Sequence, residues 1–452
     1  MPFPQDFIWG AATAAYQIEG GAHTGGRGRS VWDDFCDIPE KVKNGHSGAI
    51  ACDHYHRFDE DIEIMRAIGL QAYRLSISWP RVMPQGTGTI NEEGLAFYDR
   101  LIDGLLAANI QPWVTLFHWD FPSTLFDRGG WLERDSASWF SEYASVVTER
   151  LGDRVTQWIT LNEPQVYIDL GHKTGIHAPG LTLNLHDQLL AGHNTLRAHG
   201  MAVQAIRAAS PQSCQVGWAP VGRACCPIDE KPETIEAARI AHNAVERDHH
   251  FSNSWWFDPA LLGCYPEHGL EIFGSDMPSF PESDLDTIHQ PLDFVGLNIY
   301  QGQMIKASEE GQPEVVPFDV GHPITAFDWP VVPEALRWSP RFLHERYDIP
   351  IYITENGLAS MDWISQDGKV HDQNRIDFTT RYLEQLRLGI ESGADVRGYF
   401  HWSAFDNFEW AEGFTKRFGL IHIDYPSGTR TPKESAHWYS HVISTNGASI
   451  ES

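Results

Sequence analysis

The sequence predicts an α/β fold, a single (β/α)8 TIM barrel spanning residues 1–452 with elaborated loops at the C-terminal face of its strands. Short apolar runs alternate with longer segments whose apolar residues recur at helical spacing, a pattern typical of parallel βαβ units. Polar side chains follow these runs where the strands would end. No Pro/Gly/Ser-rich linker divides the chain, so one domain is expected.

The strand candidates are eight in number, the count that a closed barrel requires. Several are almost wholly apolar, as expected for strands that are covered on both faces. A doubly wound open sheet is possible on the pattern alone, but no GxGxxG follows the first strand to favour it. The candidates are residues 7–13, 72–78, 111–118, 155–162, 214–220, 292–300, 351–356 and 396–403.

The segments between the strands are mostly amphipathic, and residues 55–69 and 93–109 are clear examples with apolar residues at helical spacing. Residues 303–332 form the longest segment without a regular pattern. We expect a functional loop there, because it would follow the sixth strand at the end of a barrel where active sites form. Residues 444–452 are expected to form a frayed tail.

The composition limits the classes of partner. Lys and Arg total 33 against 61 Asp and Glu, a formal charge of -28 that would repel phosphate backbones and anionic lipids. We therefore expect no nucleic-acid partner and no membrane partner, and nothing in the sequence specifies an oligomeric state. The 17 Trp residues fit either a site for sugar rings or simply a large core.

The six cysteines show no CxxC or Cys/His spacing, so no metal site is predicted. Free thiols in a reducing compartment are expected instead. The first residues lack a basic region followed by a long apolar stretch, so no secretory signal is predicted, and no apolar run has transmembrane length. A cytoplasmic location is the resulting expectation.

Residues of catalytic type gather at the predicted strand ends, and in a barrel all of them would face one mouth. They are Gln17, Glu19, Arg74, His118, Trp119, Asp120, Asn162, Glu163, Asn298, Tyr300, Glu355, Asn356, Trp402, Glu409 and Trp410.

Glu163 and Glu355 are the two carboxyls that carry the chemical argument. Cleavage of an acetal needs a proton donor at the leaving oxygen and a carboxylate that supports the oxocarbenium-like centre. These two residues end the fourth and seventh strands, roughly across the mouth from each other. One such Glu alone would more often be an ion-paired structural residue, but two, each beside an Asn, favour catalysis.

Four sequence blocks also resemble a known family. TLNEP at 160–164, ITENG at 353–357, the opening FIWGAATAAYQIEG and the closing DNFEW together resemble the family 1 glycoside hydrolases, which include the β-glucosidases. The similarity runs from about residue 3 to residue 443 and includes FGLIHIDY and RTPKESAHWY. It implies a retaining β-glycosidase that acts on terminal non-reducing β-D-glucosyl residues, with β-galactosidase or β-fucosidase side activity.

The resemblance assigns roles in a two-step double displacement with a covalent glycosyl-enzyme intermediate. It implies that Glu163 is the acid/base and Glu355 the nucleophile. Arg74 and Tyr300 would hold Glu355 ionised and oriented, with Asn298 as a further support, because a cation and a donor both lower the pKa of a carboxyl. The mechanism implies no cofactor, and the expected substrate is a β-glucoside or a β-linked oligosaccharide.

The resemblance also implies a pocket for the terminal sugar. Glu409 indicates an unphosphorylated sugar, because a carboxylate would repel a phosphate. Without the family motifs, a buried His118 and a core Trp402 would be the ordinary interpretations. At the entrance Trp329 and His177 are candidates, and Gln165 departs from the aromatic residue of many relatives. The implied substrate-binding residues are Gln17, His118, Trp119, Asn162, Trp402, Glu409, Trp410 and Phe418.

Two alternatives remain open on the sequence. A transglycosylase would pass the same covalent intermediate to an acceptor sugar, and product analysis at high sugar concentration would distinguish it. A catalytically inactive sugar-binding protein would keep the pocket but lack the chemistry. Both glutamates are present together with Arg74 and Tyr300, which argues against the inactive protein.

Overall fold

Eight parallel strands close into a barrel in the computed structural model, which describes residues 3–451. The strands follow one another around the barrel in chain order, and the first pairs with the eighth. Each lies inside one of the predicted runs, so the predicted TIM barrel is confirmed. The barrel strands are Ile8–Ala12, Ala72–Ser76, Gln111–Phe117, Gln157–Asn162, Gln215–Ala219, Phe294–Asn298, Ile351–Asn356 and Val396–Trp402.

Aromatic side chains fill the barrel interior below the mouth. The Trp113 ring lies 5.3 Å from the Phe294 ring, 4.6 Å from the Tyr352 ring and 5.1 Å from the Phe400 ring, measured between centroids. Gly10 makes room for this layer, because a Cβ there would lie 2.5 Å from the Phe400 ring. The interior is therefore a packed core, and a site can form only above it.

Helices surround the barrel, and the two amphipathic segments singled out in the sequence form His54–Ile68 and Glu92–Ala107. The first of them ends at Gly69, whose φ of 82° is the left-handed conformation that glycine adopts readily. The other α-helices are Ala15–Ile18, Val31–Asp37, Trp79–Val82, Ser123–Phe126, Ser136–Leu151, Pro164–Ile168, Leu185–Ala209, Pro232–Asn243, Asn253–Leu262, Glu267–Phe273, Ser283–Ile288, Ala335–Tyr347, Gln373–Glu391 and Glu434–Ser444. Shorter helical turns are Lys43–Gly45, Gly130–Leu132, Asp169–Lys173, Gly274–Asp276, Trp410–Glu412 and Ala448–Glu451.

The segment 303–332 contains more regular structure than expected. Strands Gln303–Ala307 and Pro313–Val316 form an antiparallel hairpin, and Cys225–Pro227 pairs with the first of them. Most of the hairpin side chains are at least partly exposed, so no apolar run announces it in the sequence. A second hairpin joins Ile421–Asp424 to Thr429–Pro432.

The expected frayed tail is wrong for the described residues after 444. Asn446 donates from Nδ2 to the Phe3 carbonyl at 2.8 Å and accepts from the indole of Trp9 at 2.9 Å. Ala448–Glu451 then forms a helical turn. The polar composition of this segment suggested disorder. Composition cannot reveal that the side-chain amide of Asn446 bonds to residues near position 3. Across residues 3–451, no helix is long and apolar enough to cross a membrane.

Candidate active site

A cavity of about 400 Å³ opens at the C-terminal mouth of the barrel, within the usual size range of small-molecule sites. Three predicted site residues, Gln17, Arg74 and Asn162, are buried and do not line it themselves. The predicted residues that line the cavity are His118, Trp119, Glu163, Asn298, Tyr300, Glu355, Trp402, Glu409, Trp410 and Phe418.

Glu355 ends the seventh strand with both carboxylate oxygens engaged. Arg74 donates from Nη1 to Oε1 at 2.6 Å, and the Tyr300 hydroxyl donates to Oε2 at 2.6 Å. Burial raises the pKa of Glu355, while Arg74 and Tyr300 act in the opposite direction. As expected, both contacts lower the pKa of Glu355. Burial has the larger effect, so the pKa is raised overall.

Glu163 follows the fourth strand in a left-handed conformation with φ of 47°. Its Oε1 accepts a hydrogen bond from Asn298 Nδ2 at 2.8 Å, and its backbone N–H donates to the Ala219 carbonyl at 2.9 Å. Burial, and then the charge of Glu355, raise the pKa of Glu163 well above the usual range. Within the pair, the proton therefore resides on Glu163 and the negative charge on Glu355.

The side-chain amides of Asn162 and Asn298 link Arg74, the partner of Glu355, to Glu163 by hydrogen bonds. Asn162 Oδ1 accepts from Arg74 Nη2 at 2.6 Å and from Asn298 Nδ2 at 3.0 Å. Asn298 Oδ1 in turn accepts from the Thr354 hydroxyl at 2.7 Å, which determines which way this amide points. Thr354 was not predicted as a site residue, although it lies within the ITENG block.

The ring of His118 is held in one tautomer. Because Oδ1 of Asn162 already accepts two hydrogen bonds, its Nδ2 must be the donor in the 3.0 Å contact with His118 Nε2. Burial, and then the charge of Arg74, lower the pKa of His118 well below the usual value. The ring is therefore neutral with its proton on Nδ1, and this Nδ1–H has no partner among the described residues.

Flat aromatic faces surround the His118 side of the cavity. The Trp402 ring stacks near His118 at 5.6 Å with an interplanar angle of 23°, and the Trp119 and Trp410 rings lie 4.5 Å apart. Phe418 lies 5.9 Å from the ring of Tyr300 on the other side. Such faces offer apolar contact area to the C–H faces of a sugar ring.

Gln17 and Glu409 supply unpaired acceptors. Gln17 Nε2 donates to the Phe408 carbonyl at 2.8 Å and to Asn407 Oδ1 at 3.1 Å, which directs its Oε1 away from them. Within residues 3–451, neither Gln17 Oε1 nor Glu409 Oε1 has a hydrogen-bond partner. Burial raises the pKa of Glu409 well above the usual range, against a contact with Trp402 that lowers it. Buried acceptors normally have a hydrogen-bond donor, which the hydroxyl of a bound molecule would supply here.

Asn407 was not predicted as a site residue, although it lies within the DNFEW block. Its Nδ2 donates to the Ser403 hydroxyl at 3.1 Å and to the Phe405 carbonyl at 3.2 Å. These two contacts leave only its Oδ1 for Gln17. The amide of Asn407 therefore determines the orientation of the Gln17 amide.

The outer part of the cavity is mostly apolar. Trp329 and His177, the two candidates for the entrance, both line it. Burial lowers the pKa of His177 to about 4, so its ring is neutral. Gln165 is fully buried and is not among the lining residues, whereas Val166 beside it is. Apolar lining residues that the sequence did not indicate include Val166, Leu170, Val221, Phe251 and Phe327, and polar ones are Arg223, Gln301, Gln303 and Glu412.

A (β/α)8 barrel with two acidic side chains across one cavity at its mouth has the architecture of a glycoside hydrolase. The sequence profile of glycosyl hydrolase family 1 matches residues 1–448, and the chain belongs to this family. The resemblance seen in the sequence blocks is thereby confirmed.

Known relatives match the chain over nearly its whole length. It is 46% identical to a 1,4-beta-D-glucan glucohydrolase of Thermotoga neapolitana, over 98% of this chain and 99% of the relative. It is 44% identical to beta-glucosidase A of Acetivibrio thermocellus, over 99% of each. The structure of the beta-glucosidase from Thermotoga maritima in complex with glucoimidazole superposes with a TM-score of 0.90 at 44% identity, over 99% of each chain.

Proposed function

We propose that the protein is a retaining β-glucosidase that removes terminal non-reducing β-D-glucosyl residues by double displacement. The observation that carries this proposal is the pair Glu163 and Glu355, which line one cavity in different electrostatic surroundings. The names of the relatives, beta-glucosidase and 1,4-beta-D-glucan glucohydrolase, support the choice of substrate. The chain acts as one domain and uses no cofactor.

In the first step, the Glu355 carboxylate attacks the anomeric carbon while the C–O bond to the leaving group breaks. Glu163 transfers its proton to the departing oxygen. Arg74 and Tyr300 hold both oxygens of the nucleophile, so its attacking geometry is set before the substrate arrives. The product of this step is a glucosyl ester of Glu355.

In the second step, Glu163 changes from acid to base. Esterification removes the negative charge of Glu355, which is one of the two causes that raise the pKa of Glu163. The pKa of Glu163 falls, and its carboxylate takes a proton from the water that attacks the anomeric carbon. The ester bond to Glu355 breaks, and glucose leaves with its original configuration.

Each polar group that holds the sugar is fixed as either a hydrogen-bond donor or a hydrogen-bond acceptor. His118 offers a donor at Nδ1, and Gln17 and Glu409 offer acceptors, so the bound hydroxyls must both accept and donate. Asn162 binds the 2-hydroxyl, where a hydrogen bond strengthens in the transition state. The aromatic surfaces that complete this part of the site are Trp119, Trp402, Trp410 and Phe418.

Several finer properties follow from the same assignment. The Glu409 carboxyl favours an unphosphorylated sugar, and β-galactoside and β-fucoside hydrolysis are expected as side activities. The leaving group is an alcohol or a further β-linked sugar, as in the breakdown of cellulose fragments. A cytoplasmic location is supported by the six cysteines, each of them a free thiol, as is usual in reducing compartments.

The two glutamates can be distinguished by azide rescue. Glu355→Gly should abolish hydrolysis, and azide should fill the vacated space and give an α-glucosyl azide, with inverted configuration. Glu163→Ala should still form the ester from aryl glucosides whose leaving groups need no proton, and azide should then give the β-product. The measurement is product configuration by NMR.

The reverse pattern, with the α-product from Glu163→Ala and the β-product from Glu355→Gly, would exchange the two assignments. A wild-type protein that binds glucose but releases no chromophore from 4-nitrophenyl β-glucoside would contradict the enzymatic function altogether. Glu391→Ser, at an exposed position, is the control that should retain full activity.

A further inference from the structure

The loop after the seventh strand exposes three apolar side chains within four residues. Met361 is 66% exposed, Trp363 is 71% exposed and Ile364 is 43% exposed. Asp362, between the first two, is 6% exposed at its side chain. Single exposed apolar residues are common on protein surfaces. A Trp and two apolar neighbours on one short segment form a patch of the kind found at binding sites.

The buried side chain of Asp362 anchors this segment. Its carboxylate accepts hydrogen bonds from the Arg375 guanidinium, the Lys433 ammonium and the Ser360 hydroxyl. Burial alone would raise the pKa of Asp362, but Arg375 and Lys433 hold it below the usual range, so the ion pairs persist at neutral pH. The contacts of Asp362 therefore fix the backbone next to Trp363, whose side chain stays exposed.

The base of the loop is bonded to segments that line the cavity. Ser360 and Arg417 exchange two backbone hydrogen bonds, of 2.9 Å and 3.2 Å, directly before the lining residue Phe418. The Ala326 N–H donates to the Ala359 carbonyl at 3.1 Å, directly before the lining residue Phe327. Trp363 follows three residues after Ser360, which places its Cα at most roughly 11 Å from that of Ser360, beside the segments that carry Phe418 and Phe327.

We propose that Trp363, together with Met361, is a second sugar-binding position that stacks against a distal unit of a β-linked oligosaccharide whose terminal unit occupies the cavity. The inference rests on the proposed function, and it adds a preference for longer leaving groups. The flat apolar face of an indole matches the C–H face of a sugar ring, and its N–H can meet a hydroxyl.

Two observations favour a neutral sugar over other occupants. The formal charge of -28 repels nucleic acids and anionic lipid surfaces. A second copy of the chain would need roughly 800 Å² per partner for a stable contact, whereas a large aromatic side chain contributes only about 150–250 Å². The patch of Met361, Trp363 and Ile364 is too small for such an interface and of suitable size for one sugar unit.

The test compares Trp363→Ala with the wild type on cello-oligosaccharides from cellobiose to cellohexaose and on 4-nitrophenyl β-glucoside. We expect kcat/KM of the wild type to rise with chain length, and Trp363→Ala to lose roughly threefold to tenfold on the longer members, mainly through KM. The short aryl glucoside does not reach Trp363, so its kcat/KM should be unchanged. Trp363→Phe should recover most of the loss.

Leu262→Ala is the matched control, since Leu262 is also an exposed apolar residue and ends a helix elsewhere on the molecule. Chain-length dependence that is the same in Trp363→Ala and the wild type would overturn the proposal, as would an equal loss on all substrates. A dimeric wild type that becomes monomeric in Trp363→Ala, seen by sedimentation, would identify the patch as a subunit interface instead. Failure of the proposed function would be recognised separately, as absence of wild-type activity on the aryl glucoside.

Discussion

The two glutamates have different electrostatic surroundings because of neighbours that are far away in the sequence. Arg74 lies 281 residues before Glu355, and Asn298 lies 135 residues after Glu163. The motifs were sufficient to assign both glutamates and Arg74 as candidates. The raised pKa of Glu355 could not be predicted, because it depends on how deeply the carboxyl is buried.

The pH dependence of kcat/KM should reflect both carboxyls. In the proposed mechanism Glu355 is ionised, so activity should be lost as the pH falls through its pKa. Glu163 is protonated, so activity should be lost as the pH rises through its pKa. Because burial raises both, the profile should lie above the range of a free Glu, whose pKa is about 4.3.

Glu163→Gln isolates the alkaline side of this profile. With 2,4-dinitrophenyl β-glucoside, whose leaving group needs no proton, the variant should keep the acidic limb and lose the alkaline one. The measurement is the initial rate at low substrate concentration across pH. An alkaline limb that persists unchanged in this variant would mean that another group controls it.

Glu409→Ser should lower kcat/KM for 4-nitrophenyl β-glucoside by roughly a hundredfold, because a buried acceptor is removed and a sugar hydroxyl is left unpaired. A 4-deoxy or 6-deoxy glucoside that lacks the hydroxyl bound by Glu409 should lose much less. Equal losses on the parent and on every deoxy substrate would contradict direct contact between Glu409 and the sugar.

Among the elements, the barrel strands were predictable because burial on both faces requires mostly apolar runs, such as the wholly buried strand Phe294–Asn298. The hairpin formed by Gln303–Ala307 and Pro313–Val316 was not, because most of its side chains are at least partly exposed. The apolar wall that includes Leu170 and Phe251 was also missed, since these residues come from separate segments that only the tertiary fold brings together.

The seventh and eighth strands approach each other closely where they end, at Gly357 and Trp402. A Cβ on Gly357 would lie 1.8 Å from the backbone carbonyl oxygen of Trp402, so Gly357→Ala must displace one strand end. We expect a loss of about 1–3 kcal/mol in the free energy of unfolding, together with a marked loss of activity.

Gly104→Ala is the corresponding control. A Cβ there meets only the flexible end of Ile62 at 2.7 Å, within the helix Glu92–Ala107. Alanine favours a helix interior by roughly 0.5–1 kcal/mol, so this variant should be as stable as the wild type or slightly more so. Urea unfolding measures both variants, and equal stability of the two would show that the strand ends can shift without strain.

Several buried histidines make the stability of the folded protein depend on pH. Burial lowers their pKa values far below the 6.5 of an unfolded chain. The unfolded chain therefore binds more protons below pH 6.5, and the stabilisation that is complete above that value is lost as the pH falls toward the folded-state pKa. The pKa is about 4 for His172 and His177, and about 3 for His199, His242, His250 and His401.

Each of these rings should lower the free energy of unfolding by about 1.4 kcal/mol for every pH unit below 6.5. Urea unfolding at pH 7.5 and pH 5.5 measures the net change, to which the raised pKa values of Glu163, Glu355 and Glu409 contribute with the opposite sign. His242→Gln should reduce the difference between the two pH values, whereas His268→Gln, at an exposed position, should not. A difference that is the same in both variants would contradict this account.

The hydrogen bonds of Asn446 make a circular permutation of the chain feasible. Its backbone carbonyl accepts from the Phe3 N–H at 3.1 Å, and its side chain reaches the Phe3 carbonyl and the Trp9 indole. Residues 3 and 446 are thus neighbours in space, and a short Gly-rich peptide could join the segments outside them. A circular permutant opened at the exposed turn around Gly311, far along the chain from this junction, would retain all eight barrel strands uncut.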